Sequence, residues 1–293
     1  MIANPIAGKG RGEAAARDLA AGLERLGTRV ELRLTTGAGD AKRWAAERAD
    51  DVDLAASIGG DGTLREILDG LTNSGGGDLP VATLPMGTAN VLALDFRLPR
   101  HVPGLLEVIE AGHTRLLDLA EVRSGDDAPM TSFLAIGIGL DANVVHRLDA
   151  ARSGTITKLS YVPHVISEVR RYRPAVLHVS VDGEQLEGTF GQVIVSNMIH
   201  YGGFLKLDPA TVSDDGRWEL YLWRNASRRA LAASTLRGTF GRIPGGACQR
   251  LHARQVSVSS ESPVPYHVDG DPGGMTPLSL SLTGRRQAIL APK

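Results

Sequence analysis

One cysteine in 293 residues, Cys248, rules out an internal disulfide and a cysteine-built zinc site, and fits a reducing cytosol. A charge excess of either sign is also missing: 32 Lys+Arg stand against 33 Asp+Glu, a net charge of −1. That argues against general nucleic-acid binding, which draws on a basic surface. No apolar run approaches the roughly 18 residues that mark a membrane span. The first residues, Met1-Ile2-Ala3-Asn4-Pro5, do not read as a signal peptide. Internal repeats and low-complexity segments are absent, and the eight histidines show no metal-ligand spacing. What is plentiful is apolar content, 42% of the chain. That is enough for a core, and the length suits one large domain or two modest ones.

The most informative stretch is Ser57-Ile58-Gly59-Gly60-Asp61-Gly62-Thr63-Leu64. An apolar run of strand length, 54–58, leads into it. The segment after it carries Leu64, Ile67, Leu68 and Leu71 at helical spacing. Glycines at such a turn permit positive φ and close approach of a ligand. The amides that open the helix favour an anion. Asp61 suits a magnesium ion or a proton in that place; alternatively it is the N-cap of an ordinary turn.

Around that turn the first 115 residues alternate strand and helix. Ile2 and Ala3 end a short first strand, expected either at a sheet edge or continued by upstream sequence. A glycine turn over 4–10 leads to a helix ending near Leu26, with Gly27 as its stop. A strand over 29–34 follows, then a helix capped by Asp40. A fourth strand over 81–84 meets Pro85-Met86-Gly87-Thr88-Ala89-Asn90, which opens a helix to Phe96. This rhythm predicts a doubly wound parallel sheet with helices on both faces. All three glycine turns then belong at the carboxyl ends of strands, where such sheets bind ligands.

After about residue 115 the pattern changes. Strands are expected over 116–122, 132–138, 176–181, 192–196, 218–223, 255–258 and 264–268, with a hairpin at Asp182-Gly183. Helices are expected over 156–169 and 227–240. This predicts an α/β chain with two domains and a cleft between them. Residues 1–115 form the nucleotide-binding α/β domain, 116–276 a mostly antiparallel, sandwich-like lipid-binding domain, and 277–293 return to the first.

Taken together, the turns resemble the diacylglycerol kinase catalytic-domain family, which includes sphingosine and ceramide kinases and the bacterial soluble lipid kinases. The residues that carry the resemblance are Asn4-Pro5 with Gly8 and Gly10, Gly59-Gly60-Asp61-Gly62-Thr63, and Leu84-Pro85-Met86-Gly87-Thr88-Ala89-Asn90. Gly137-Ile138-Gly139-Leu140-Asp141, Tyr201-Gly202-Gly203, Asp214-Asp215-Gly216 and Val268-Asp269-Gly270-Asp271 continue it in the same order. NAD kinase, a distant relation, shares the central Gly-Gly-Asp-Gly turn but lacks the Asn-Pro opening. Arg65 stands where many relatives have Asn, and Asp271 where most have the longer Glu.

The resemblance implies transfer of the γ-phosphoryl of ATP to a lipid hydroxyl, with diacylglycerol the leading acceptor and magnesium required. Gly59, Gly60, Asp61, Gly62 and Thr63, with Glu66, would hold the nucleotide. Asn4, Gly8, Lys9, Gly10, Thr35, Gly87, Thr88 and Asn90 would complete its pocket, and Arg11 could neutralise phosphate charge. Asp271 matches the residue taken as proton acceptor in bacterial members; Asp61 has that role, or a metal role, in other branches. A structural magnesium would rest on Asp215 with the carbonyls of Val212 and Arg217; an ion-free turn is the other reading. Phe133, Leu140, Tyr161, Phe204 and Leu205 are candidates for an acyl pocket or for plain core. Arg170, Arg171, Arg173, Arg224, Arg228, Arg229 and Arg237 could meet anionic headgroups or simply be solvated. The expected protein is a cytoplasmic enzyme that visits the membrane surface for its lipid, without a transmembrane segment and without nucleic acid; a homodimer is compatible. The alternatives are an NAD kinase-like phosphotransferase and a nucleotide-binding module without turnover.

Overall fold

The computed structural model describes residues 1–150, 172–224, 226–241 and 243–293. The helix expected over 156–169 lies outside them, as do Tyr161, Arg170 and Arg171. The chain divides into two compact units, Met1–Leu117 with Arg285–Lys293, and Asp118–Gly284.

In chain order the first unit holds β1 (Ile2–Ala3), α1 (Gly12–Arg25), β2 (Arg33–Leu34), α2 (Asp40–Arg48), β3 (Ala55–Gly59), α3 (Asp61–Ser74), β4 (Val81–Pro85), α4 (Val91–Asp95) and α5 (Val102–Ala111). Its strands run β2-β1-β3-β4, all parallel. β1 thus lies between β2 and β3, and the expected edge position is corrected. Ile2 pairs with both Arg33 and Ser57. β2 is shorter than the expected 29–34, because a two-residue neighbour offers ladder partners only for Arg33 and Leu34.

β4 is buried along its whole length and β3 nearly so, as expected of parallel strands covered on both faces. One core cluster joins Ala16, Leu19 and Leu23 of α1 to Ile58, Leu84 and Leu105. On α3 the helical stripe Leu64, Ile67, Leu68 and Leu71 is at most 2% exposed. Each such side chain contributes about 1.5–3 kcal/mol relative to exposure. A Cβ on Gly70 would lie 2.2 Å from the Lys42 carbonyl oxygen, so α2 and α3 touch at backbone distance.

The second unit begins within β5 (Thr114–Arg123) and continues through β6 (Met130–Ser132), β7 (Ala135–Ile138), α6 (Leu140–Ala150), β8 (Leu177–Val181), β9 (Glu184–Gln185), β10 (Gln192–Ser196), β11 (His200–Tyr201), β12 (Leu205–Lys206), β13 (Trp218–Trp223), α7 (Arg228–Thr239), β14 (Cys248–Ala253), β15 (Gln255–Ser260), β16 (Pro265–Val268) and β17 (Asp271–Met275) to the first part of β18 (Leu278–Leu290). One antiparallel sheet runs β14-β13-β10-β7-β16-β17. Facing it, β15 pairs antiparallel with β8 and β18. The shared core takes every second residue: Ile136 and Ile138, Val193 and Val195, Leu220 and Leu222, Val256 and Val258, Leu278 and Leu280. That period of two defines the buried face of each strand. On the other face of the larger sheet, Ile194, Tyr221 and Trp223 pack with Leu231 of α7.

The hairpin at Asp182-Gly183 is present, with φ of 50° and 91° as a primed turn requires. The strand expected over 132–138 is two strands, because Phe133 and Leu134 turn their amides to the Asp269 carboxylate instead of a ladder. β18 begins in the second unit and ends in the first, where Ile289 pairs parallel with Val81.

Candidate active site

In the first unit the three glycine turns lie together at the carboxyl ends of β1, β3 and β4, tied by their own backbones. The Asn4 amide donates to the Ile58 carbonyl at 2.9 Å, that of Gly8 to Met86 at 2.9 Å, and that of Met86 to Gly59 at 2.7 Å. Gly8 and Gly10 have φ of 61° and 80°. A Cβ on Gly8 would sit 2.6 Å from Met86 Cε, and one on Gly87 would sit 2.7 Å from Gly60 Cα. The Asn4 side chain accepts from the Ile6 amide at 3.1 Å, which fixes the turn. Arg11 Nε donates to the Gly8 carbonyl at 3.0 Å, while Lys9 is exposed.

α3 starts here, and its N-cap residue, Gly60, has no side chain to cap the first-turn amides. Asp61 accepts from the Val91 amide at 3.0 Å, so its carboxylate ties the start of α4 to the start of α3. Asn90, buried at 5% exposure, has φ of 51° and closes a ring with Gly87: its Oδ1 accepts from that amide and its Nδ2 donates to that carbonyl, both at 2.8 Å. Thr88 is exposed on the same turn. Thr35 directly follows β2, its amide donating to the Ala3 carbonyl at 2.8 Å. Gly59, Gly60, Asp61, Asn90 and Leu92 line a small recess at this edge.

Two carboxylates organise the start of α2, and the expectation that Asp40 caps it is corrected. The Glu66 carboxylate accepts from the amides of Gly39 and Ala41, at 3.0 and 3.2 Å, and so caps α2 from a distance. Asp40 is the first residue of α2, with Gly39 at the cap position. Its carboxylate turns back to the amides of Thr36 and Gly37, whose hydrogen bonds, Thr36 first, hold the group below its ordinary pKa.

In the second unit, Val268-Asp269-Gly270-Asp271 is the turn of the β16–β17 hairpin, with φ of 54° at Asp269 and 89° at Gly270. Asp269 is a structural carboxylate. It accepts from Ser132 Oγ at 2.7 Å and from the amides of Phe133, Leu134 and Ala135 at 3.1, 2.9 and 2.9 Å. Asp271, half-buried, opens β17.

Sequence reasoning missed the polar cluster beside this hairpin. Asp141, on the first turn of α6, accepts hydrogen bonds from Tyr201 and from Gln192 Nε2, the latter at 2.6 Å. His267 Nε2 lies 2.7 Å from the Tyr201 hydroxyl and 3.3 Å from Asp141 Oδ2. His267 Nδ1 accepts from the Gly270 amide at 3.3 Å, which fixes the tautomer with hydrogen on Nε2 and links the cluster to the residue before Asp271. Burial works to raise the Asp141 carboxyl, yet the hydrogen bonds of His267, Tyr201 and Gln192 hold it below its ordinary value. Gly137 leaves room for all of this. A Cβ there would be 2.0 Å from Asp141 Oδ2, 2.5 Å from His267 Nε2 and 2.6 Å from the Tyr201 hydroxyl. A glycine inside a strand was the available signal, but only the register Gly137↔His267 names the neighbour.

The candidate magnesium loop is anchored from below. The Asp118 carboxylate, 4% exposed, accepts from the Gly216 amide at 2.6 Å, and its own amide donates to Ser213 at 2.8 Å. Asn197 Nδ2 reaches the carbonyls of Asp118 and Ser213. Asp215 accepts from the Arg217 amide at 3.0 Å and meets its guanidinium at 3.3 Å. No group of three acidic, histidine or cysteine side chains among the described residues is placed to hold a metal. A cation would therefore depend on Asp215 and peptide carbonyls, an all-oxygen set that suits a hard ion once Arg217 swings away.

Of the acyl-pocket candidates, Phe133 is fully buried and Phe204 is 52% exposed. Leu205 packs where Gly238 of α7 leaves space, and Leu140 lies partly buried against the Trp223 side of the sheet. Cys248 is buried, which pushes its thiol up to about 12 and makes it an inert core residue.

Comparison with known proteins follows the same division. The family model of the diacylglycerol kinase catalytic domain matches residues 1–122, and that of the YegS C-terminal NAD kinase beta sandwich-like domain matches 134–290. The chain belongs to the diacylglycerol kinase family of lipid kinases. Within that family, a diacylglycerol kinase of Staphylococcus haemolyticus is 26% identical over 297 residues, covering 100% of this chain and 88% of the relative. A Stenotrophomonas maltophilia protein named "Probable lipid kinase YegS-like" is 28% identical, covering 90% and 87%. A crystal structure of a diacylglycerol kinase from Bacillus anthracis superposes with a TM-score of 0.74 at 20% identity, over 99% of this chain and 95% of that one, a likeness of fold.

Proposed function

We propose that this family member uses ATP and magnesium to phosphorylate the hydroxyl of a diacylglycerol-like lipid. The observation that carries this reading is the stitched trio of glycine turns, with the α3 amides uncapped by Gly60. Amides with that exposure and dipole direction suit a polyphosphate. Gly60, Gly62 and Thr63 hold the phosphates there, Thr88 and Lys9 approach from the flanking turns, and Asn4, Gly87 and Asn90 keep those turns in shape. Asp61 sets α4 against α3 and orders the phosphate end of the site.

In the transfer, the lipid hydroxyl oxygen bonds to the γ-phosphorus while the bond to the β,γ-bridging oxygen breaks. ADP leaves, and the hydroxyl proton passes to Asp271. A carboxylate is too weak a base to remove that proton beforehand, so it acts late, as the oxygen gains positive character. Asp271 is one methylene shorter than the glutamate of most relatives, which leaves a closer approach or a bridging water to complete its reach. Asp215 with the carbonyls of Val212 and Arg217 is the proposed magnesium site, where the ion supplies positive charge beside Asp118. The choice of acceptor rests on the relatives named diacylglycerol kinase.

Incubation with radiolabelled ATP, magnesium, mixed lipids and NAD tests the reading. Labelled phospholipid that disappears on chelation is the expected result. Labelled NADP would make the protein an NAD kinase, and ATP binding without product would make it a nucleotide-binding module. No described helix is long and apolar enough to cross a membrane.

A further inference from the structure

In α7 the usual sidedness of a surface helix is reversed. Its buried residues are Leu231, Ser234 and Gly238: one leucine, one hydroxyl and one bare backbone. Its other leucine, and the phenylalanine that follows the helix, face water. Leu236 is 63% exposed and Phe240, directly after the helix, 71%. With Arg229, Ala232 and Ala233, all exposed, they fall at i, i+3, i+4, i+7 and i+11, one continuous stripe. The inner face is already complete. Ser234 Oγ accepts from Trp223 Nε1 at 2.8 Å, and a Cβ on Gly238 would lie 3.0 Å from Ile243 Cδ1 and 3.2 Å from Leu205 Cδ2. Among the described residues, the stripe therefore has no place in the core of this unit.

The charge carried by this stretch of the chain argues for what covers it. Between Glu219 and Glu261 the chain has no acidic residue and seven arginines, at 224, 228, 229, 237, 242, 250 and 254. Asp208 neutralises Arg250, whereas Arg229 lies exposed within the stripe itself. A second copy meeting this face two-fold would set arginine against arginine. Two large apolar side chains are also far short of the roughly 1,000 Å² that a stable protein interface buries. A bilayer has neither difficulty. Its boundary takes single Leu and Phe side chains, and its anionic headgroups attract arginine.

We propose that this face of α7 docks the second unit on an anionic membrane surface, with Leu236 and Phe240 entering the headgroup boundary and Arg229 meeting lipid phosphate. The proposal deepens the lipid-kinase reading and takes its biological sense from it. Co-sedimentation with vesicles of phosphatidylcholine, with and without phosphatidylglycerol, tests it. The wild-type protein should bind the mixed vesicles, and less well as salt rises. Leu236→Ser with Phe240→Ser should weaken that binding at least about tenfold. Arg229→Glu should weaken it about fivefold or more on the anionic vesicles alone. Leu26→Ser, which changes an exposed leucine of the first unit, should leave it unaltered. Unchanged melting curves would show that the variants fold. Equal binding by all variants would overturn the proposal. So would a wild-type dimer that the double variant converts to monomer, because a second copy would then own the face. Phosphorylation of diacylglycerol in uncharged detergent micelles should be the same in every variant. If the wild-type protein phosphorylates nothing there, the kinase reading fails while the vesicle result still decides the docking.

Discussion

The two units build their candidate sites from different materials. In the first, the parts that would face phosphate are peptide groups: three glycine turns held by Asn4, Gly8 and Met86 amides, with side chains such as Asn90 serving the turn. In the second, carboxylates do the work and the backbone supports them, with Asp269 held by three amides and Asp141 by Tyr201, His267 and Gln192. The contrast follows from sheet type. Parallel strands end together beside helix N-termini and present amides. Antiparallel hairpins bring side chains of adjacent strands face to face. On the proposed reading, phosphate binding would come from geometry that many sequences can share, while proton acceptance would depend on individual residues.

Substitutions can break this contrast, and the largest effect is expected at Asp271. Asp271→Asn should lower kcat roughly a thousandfold against the lipid and leave ATP affinity near that of the wild type, because the lost group acts on the acceptor. Asp271→Glu should retain or raise the rate. Full kcat in Asp271→Asn would transfer the base role to Asp61. In the first unit the carboxylate under test is Asp61. Asp61→Ala should cost at least about 3 kcal/mol of transition-state stabilisation, roughly a hundredfold in rate, without unfolding the protein. Turnover near the wild-type value would leave Asp61 as a helix tie and make the first unit's site wholly backbone. Gly137→Ala should destabilise the second unit by about 1–3 kcal/mol in denaturant titration, since a methyl there overlaps Asp141 and His267. No change in the midpoint would mean that the cluster is loose.

The smallest effect concerns pH. His267→Ala should cost about 1 kcal/mol at pH 7. Asp141 is depressed in the folded state, so the stability it contributes is complete above its ordinary value of 3.8 and is lost as pH falls through its folded value. The melting gap between wild type and variant should therefore narrow below pH 3.8. A gap constant with pH would assign His267 to packing alone.

How legible each part was in the sequence follows the same division. The turns at Gly8, Gly60 and Gly87 could be read because glycine, strand length and helical spacing are all local signals. Trp218–Trp223 and Gln192–Ser196 could be read because their alternation is strict. The central place of β1 could not, because sheet order depends on crossovers between distant elements. α6 was missed behind the Gly137–Asp141 motif, and β14 because a basic, mixed strand at a sheet margin shows little period. The Asp141–Tyr201–His267 cluster was invisible because its members come from three elements and meet only through register. Gly12 was overlooked beside Gly8 and Gly10, yet a Cβ there would fall 2.0 Å from the Asn4 carbonyl oxygen.

The last strand has a consequence for how the protein comes into being. β18 delivers Ile289 to Val81 and places Leu290 among the core residues of α1 and α5. The first unit is therefore written in two separate stretches of the chain, with Asp118–Gly284 read out between them. During synthesis its sheet must wait, one neighbour short at β4, while the whole second unit emerges and folds. At about 5–20 residues per second, that wait lasts roughly 10–30 s. Its sheet is complete only when Arg285–Lys293 has been made, so a chain that stalls late would carry a finished second unit and an unclosed first one.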